Sequence, residues 1–124
     1  MPGNRILLDN NVPRHLIPLL RPREATHAAA IGWATLGNGE LIGAAHADGF
    51  AVMITCDQNI EHQQNLSGQP LAFVVLTTTH WATIRDNIGD VLAAVEAATP
   101  GSFAIVSLPK PARRRPDREG PERP

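Results

Sequence analysis

Four stretches of the chain are almost wholly apolar: Ile6 to Leu8, Phe50 to Thr55, Leu71 to Leu76 and Ser102 to Leu108. Unbroken apolar runs of this length predict strands buried on both faces of a sheet. A weaker strand is expected over Glu24 to Ala30, where Thr26 and His27 lie in an alanine-rich stretch. The segments between them carry helical spacing. After Pro13, which suits a first helical turn, Leu16, Ile17, Leu19 and Leu20 form an apolar stripe. Pro18 lies inside it and is expected to shorten or kink that helix. Glu40 to Asp48 reads as a helix with Leu41, Ile42, Ala44 and Ala45 on its apolar side and Gly49 as its C-terminal cap. Trp81 to Ala98 is predicted as the longest helix, with Ile84, Ile88, Val91, Leu92 and Val95 at helical spacing. Gln58 to Leu66 is polar and reads as a short helix or structured loop, followed by a turn at Ser67-Gly68-Gln69-Pro70. Strands alternating with helices predict an α/β fold with a parallel sheet covered on both faces. In such sheets ligands bind outside the carboxyl ends of the strands.

Composition narrows the setting. A chain of 124 residues with 43% hydrophobic content suits one domain with one core. No apolar run is long enough for a membrane span, and Met1 to Asp9 does not read as a secretory signal. Cys56 is the single cysteine, so no internal disulfide forms, and a cytoplasmic location is expected. Charge is uneven. Residues 1–108 hold five basic and nine acidic side chains, a net charge of −4, whereas residues 109–124 hold six and three, a net charge of +3. We therefore divide the chain into a folded domain, 1–108, and a Pro/Arg-rich tail, 109–124, expected to be disordered. An acidic body argues against a broad nucleic-acid-binding face, but a bound divalent cation changes the local field.

The chemistry-bearing residues follow the strands. Asp9 ends the first apolar run and Asp57 lies just beyond the second. Parallel strands would bring these carboxylates together, and like charges at short range call for a cation or a proton between them. Glu40 starts a helix after a glycine-containing loop, and Asn59 follows Asp57 by two residues. Asp9, Glu40, Asp57 and Asn59 together form an oxygen-donor set suited to Mg²⁺ or Mn²⁺, and the corresponding chemistry is phosphodiester hydrolysis by activated water. Each acid alone also fits a bland role: Asp9 and Asp57 as turn or cap residues, Glu40 as a helix-terminus acid. Amides are abundant nearby, and Asn10, Gln58, Gln63 and Asn65 are the candidates for holding substrate phosphates or bases. The five histidines form no metal-ligand spacing, and Cys56 lacks the histidine partner of a nucleophile.

Three segments carry a family resemblance: Ile6-Leu7-Leu8-Asp9-Asn10-Asn11-Val12-Pro13, then Gly32-Trp33 with Asn38-Gly39-Glu40-Leu41, and most specifically Ile54-Thr55-Cys56-Asp57-Gln58-Asn59-Ile60 with Gln63-Gln64-Asn65-Leu66. Across residues 4–108 the chain resembles the small, toxin-like PIN-like proteins related to PIN-domain ribonuclease toxins. The resemblance implies a three-layer α/β/α PIN-like domain with a parallel central sheet and an acidic Mg²⁺ or Mn²⁺ site. The family's acids fall on Asp9, Glu40 and Asp57, taken as the catalytic residues. Asn10 and Asn59 stand where relatives often carry further acids.

The expected function is a metal-dependent ribonuclease, the toxin component of a toxin–antitoxin pair, with RNA as substrate, an antitoxin protein as partner and a homodimer as a further association. The alternative is a catalytically weak or inactive PIN-like module that binds a partner protein or RNA. A third reading gives the interaction to the basic tail around Arg113-Arg114-Arg115.

Overall fold

The computed structural model describes residues 5–60 and 70–109. Five strands, β1 (Ile6–Leu8), β2 (Ala25–His27), β3 (Val52–Thr55), β4 (Ala72–Leu76) and β5 (Phe103–Val106), form one sheet in the order β2-β1-β3-β4-β5. Every pairing is parallel. Helix α1 (Asn38–Ala47) precedes β3, and helices α2 (Trp81–Asp86) and α3 (Ile88–Ala97) connect β4 to β5. Short 3-10 segments occupy Arg14–Leu20 and Ala28–Ile31. This is a three-layer α/β fold, and its strand order is one of the two common doubly wound orders.

The apolar runs are continuous because both faces of the sheet are covered. Ile6, Leu8, Val52, Ile54, Val74 and Leu76 share a first cluster with Leu16 and Leu20 and with Ile84, Val91 and Val95 of α2 and α3. Leu7, Met53, Phe73 and Val75 face the other way and share a second cluster with Leu41, Ile42 and Ala45 of α1 and with Ile60. Strands with two buried faces must be apolar at every position, which is why they are legible in the sequence.

Local structure departs from the expected elements at three places. Residues 14–20 form a 3-10 helix rather than an α-helix. Pro18 lies inside it and supplies no amide donor, while Leu16 and Leu20 are still buried. The weak strand narrows to Ala25–His27, because the chain turns into the 3-10 segment at Ala28 and leaves it through Gly32 at φ 83°. The long helix expected over Trp81 to Ala98 is two helices. Asn87 breaks it at φ −119°, and its side-chain amide donates to the Thr83 carbonyl at 2.8 Å, an alternative to continued helix. Gly49 terminates α1 as expected: it sits at φ 88° and its N–H donates to the His46 carbonyl at 3.1 Å. Of the polar segment 58–66, the part from 61 onward lies outside the described residues, as does the tail from 110. Among the described residues no helix is long and apolar enough to cross a membrane.

Candidate functional site

The site grows out of the register of β1 and β3. Leu8 is opposite Ile54, and the Asp9 N–H extends the ladder by donating to the Ile54 carbonyl at 2.9 Å. Asp9 is thereby level with Thr55, the last residue of β3. The Thr55 hydroxyl donates to Asp9 Oδ2 at 2.7 Å and accepts the Asp57 N–H at 3.0 Å. One fully buried hydroxyl thus links the two aspartates expected to meet at the sheet edge. The chain leaves β1 toward the first face, through Leu16 and Leu20, and leaves β3 toward the second, through Ile60. Connections that part in this way open a crevice outside the carboxyl ends of the two strands.

Each aspartate oxygen has a neutral donor. Asp9 Oδ1 accepts the Asn10 N–H at 2.7 Å. Asp57 Oδ1 accepts the Asn59 N–H at 2.9 Å, and Asp57 Oδ2 accepts the Asn38 amide at 2.9 Å. No cation joins them: the ion pairs among the described residues are Arg5–Asp48, Arg23–Glu96 and Arg85–Asp86. Asp9 is only 5% exposed. A carboxylate so placed, with two hydrogen bonds and no counter-charge, is costly, and each of its oxygens retains a second lone pair. Beside it Asn10 Oδ1 is buried without a hydrogen-bond partner, while the Asn10 amide donates to the Trp33 carbonyl at 3.2 Å.

Neighbouring loops are sewn to this centre. Asn11 Oδ1 accepts the Cys56 N–H at 3.0 Å, and Gln58 Nε2 donates to the Thr77 carbonyl at 3.2 Å. His27 is buried at the end of β2. Its Nδ1 accepts the Ala29 N–H at 3.1 Å, so Nε2 carries the proton and donates to the Val12 carbonyl at 2.9 Å. Cys56 is no nucleophile. Burial first, and the Asp9 charge second, push its thiol from the ordinary 9.0 up to about 12. The protonated sulfur donates to the Thr78 carbonyl at 3.3 Å.

Asp9 and Asp57 are therefore brought together, with Asn10 alongside. Asn59 reaches Asp57 through its backbone, and its side chain is exposed. Glu40 is placed differently from the expectation. It is the third residue of α1, and its Oε1 accepts the Gly37 N–H at 3.0 Å, half of a capping box whose other half a glycine cannot supply. The α1 residue that touches Asp57 is Asn38. Asn38 precedes Leu41, Ile42 and Ala45 by three, four and seven residues, on the buried stripe of the helix, but the expected helix began at Glu40 and left it in the loop before. Thr55 gave no separate signal, because a strand-end threonine reads as part of the apolar run. Gln63 and Asn65 lie outside the described residues.

The donor set fits a hard divalent cation with few ligand charges: two carboxylates and one unbonded amide oxygen, all oxygen. Among the described residues no cluster of three His, Cys, Asp or Glu side chains is arranged to hold a metal. No protein-family model matches the chain, and neither a curated protein nor a solved structure matches it.

Proposed function

We propose that the protein is a metal-dependent ribonuclease of the PIN-like kind, serving in the cytoplasm as the toxin of a toxin–antitoxin pair. The observation that carries the catalytic part is Asp9, a buried carboxylate linked through one hydroxyl to the Asp57 backbone N–H, with no ion pair to either aspartate among the described residues. Such a centre gains most from a divalent ion. Mg²⁺ or Mn²⁺ would supply neutralisation of phosphodiester charge and a more acidic water. Asp9 and Asp57 would hold it, with Asn10 Oδ1 as the neutral donor. Thr55 fixes the direction of the Asp9 carboxylate, and Asn38 fixes that of Asp57. Exposed Gln58 and Asn59 lie on the rim, where amides can donate to phosphate oxygens or base edges. Glu40 Oε1 is engaged at its own helix terminus. The toxin role and the antitoxin partner rest on the family resemblance of the strand-end motifs.

The test is cleavage of a mixed single-stranded RNA pool by purified protein with Mn²⁺. Cleavage should disappear with Asp9→Asn and with Asp57→Asn. Equal cleavage in the presence of a chelator would exclude the metal mechanism.

A second reading, a non-catalytic PIN-like module that binds RNA or a partner protein, is favoured by one feature: the α1 side chain at Asp57 is an amide rather than a third acid. Calorimetric titration with Mn²⁺ separates the two. Absence of binding at millimolar metal selects the binding module.

A further inference from the structure

The two edges of the sheet are unequal. The β2 edge is three residues long, is preceded by Pro22 and Glu24, and runs directly into a 3-10 turn. Short length, proline and charge are the usual protections of an edge. The β5 strand is only one residue longer, and Pro100 precedes it as Pro22 precedes β2, but it differs in charge and exposure: Ser102-Phe103-Ala104-Ile105-Val106-Ser107 contains no charge. Among the described residues β5 pairs with β4 alone. The Phe73 N–H donates to the Ser102 carbonyl at 2.9 Å, and Phe73 is the register partner of Phe103. In a parallel ladder this alternation turns Ser102, Ala104 and Val106 toward β4. The N–H and C=O groups of Phe103 and Ile105 therefore point away from the sheet. On the same strand Ile105 is 57% exposed, the most exposed large hydrophobic side chain of the described residues.

We infer that β5 is an interface for a second copy of this chain, paired antiparallel across a two-fold axis at Ala104. An axis at Ala104 brings both outward-turned residues into pairing. With Ala104 opposite itself, Phe103 faces Ile105 of the other copy, and these are the two residues whose backbone groups are turned outward. Each such pair exchanges both N–H···O bonds, so four hydrogen bonds form across the axis. A shift by one residue would oppose an outward-facing residue to an inward-facing one and lose them. The side chains agree with the backbone. Phe103 and Ile105 occupy the same face of the sheet, opposite Phe73 and Val75, so the pairing sets an aromatic ring against a β-branched residue twice. Gly101 to Pro109 carries no charge, so antiparallel copies bring no like charges together along the strand. The result is one continuous ten-stranded sheet. The crevice of Asp9 and Asp57 lies two strands away and stays open in each copy.

Sedimentation of the full chain over a dilution series tests this. A monomer–dimer equilibrium is expected. Ile105→Lys should weaken it by about tenfold or more, since it replaces both cross-strand contacts with charge; an unchanged circular dichroism spectrum would show that the variant is folded. The Ala104→Cys chain should form an intermolecular disulfide at position 104, because residues opposite each other in a non-hydrogen-bonded antiparallel pair lie about 4.5 Å apart at Cα. The Phe103 and Ile105 amides should exchange more slowly at high than at low concentration. A chain monomeric at every concentration overturns the inference. So does a dimer indifferent to Ile105→Lys whose Ala104→Cys form gives no disulfide, and so does dimerisation that appears only when residues 110–124 are removed, which would assign the edge to the tail.

Discussion

The carboxyl ends of β1 and β3 and those of β4 and β5 are both closed by a threonine, with opposite outcomes. After β4, the Thr77 hydroxyl accepts the Leu108 N–H at 2.8 Å and donates to the Leu108 carbonyl at 3.4 Å. Neutral groups satisfy neutral groups there, and the chain beyond β4 and the end of β5 pack on the same face. After β1 and β3, the Thr55 hydroxyl has the same bonding capacity but joins the Asp9 carboxylate to the Asp57 backbone N–H. The chain departs to opposite faces, and the charge is held in place without being neutralised. A threonine at a strand end is structural where both neighbours are backbone. It becomes part of a site where the topology makes one of its neighbours a carboxylate.

The largest expected effect lies in the chemistry of the β1–β3 end. Asp9→Asn and Asp57→Asn should each reduce Mn²⁺-dependent RNA cleavage by at least about a hundredfold, whereas Thr77→Val should leave the cleavage rate unchanged. Gel assays on single-stranded RNA would decide, and a Thr77→Val loss as large as that of Asp57→Asn would erase the contrast between the two ends.

Stability should follow the same asymmetry. Thr55→Val leaves Asp9 Oδ2 and the Asp57 N–H without their bonds in a fully buried position, and should cost about 2–3 kcal/mol in urea unfolding. Thr77→Val should cost only about 1 kcal/mol by the same measurement, because Thr77 is half-buried and its partners are neutral backbone groups. Equal losses would mean that the carboxylates add nothing to the demand on Thr55.

Asn38→Asp sharpens the picture from the other side. It would place a carboxylate within hydrogen-bond range of Asp57, a repulsion that a bound cation relieves. Mn²⁺ affinity by calorimetry should rise by about tenfold, with lower stability in metal-free buffer. The reverse exchange at Glu40, Glu40→Gln, should alter metal affinity little and instead loosen the start of α1.

The smallest effect concerns Cys56. Its thiol is raised to about 12 by burial and by Asp9, so the unfolded chain ionises first as pH rises. The contribution of Cys56 to stability is then complete below pH about 9 and is lost as pH climbs toward 12. Cys56→Ala should remove that part of the alkaline slope. At pH near 8 alkylation of the folded protein should run at least about tenfold slower than that of the unfolded chain. Asp9→Asn should speed it, because the second cause of the shift is then absent.

Much of this was readable from residues alone. The apolar runs located the four main strands, because burial on both faces leaves no polar position within them. The acids that end two of those runs marked the edge of the sheet where polar groups gather. Asn87, by contrast, split a helix that its apolar spacing described as continuous. The helical pattern reports which face is buried, and a side-chain amide that bonds the preceding turn leaves that pattern intact. Asn38 was not singled out, because the helix was expected to start at Glu40 with Asn38 in the preceding loop, whereas α1 starts at Asn38.

The sequence by itself determined the element types, the parallel covered sheet and the placing of Asp9 and Asp57 at strand ends, since these follow from local periodicity and turn chemistry. Only the tertiary structure decided that β1 lies beside β3, that Thr55 stands between the two aspartates, that Asn38 rather than Glu40 meets Asp57, and that β5 is the last strand of the sheet among the described residues. Strand order and register depend on which distant segments pair. That choice is made by packing across the whole core, and no local run of residues carries it.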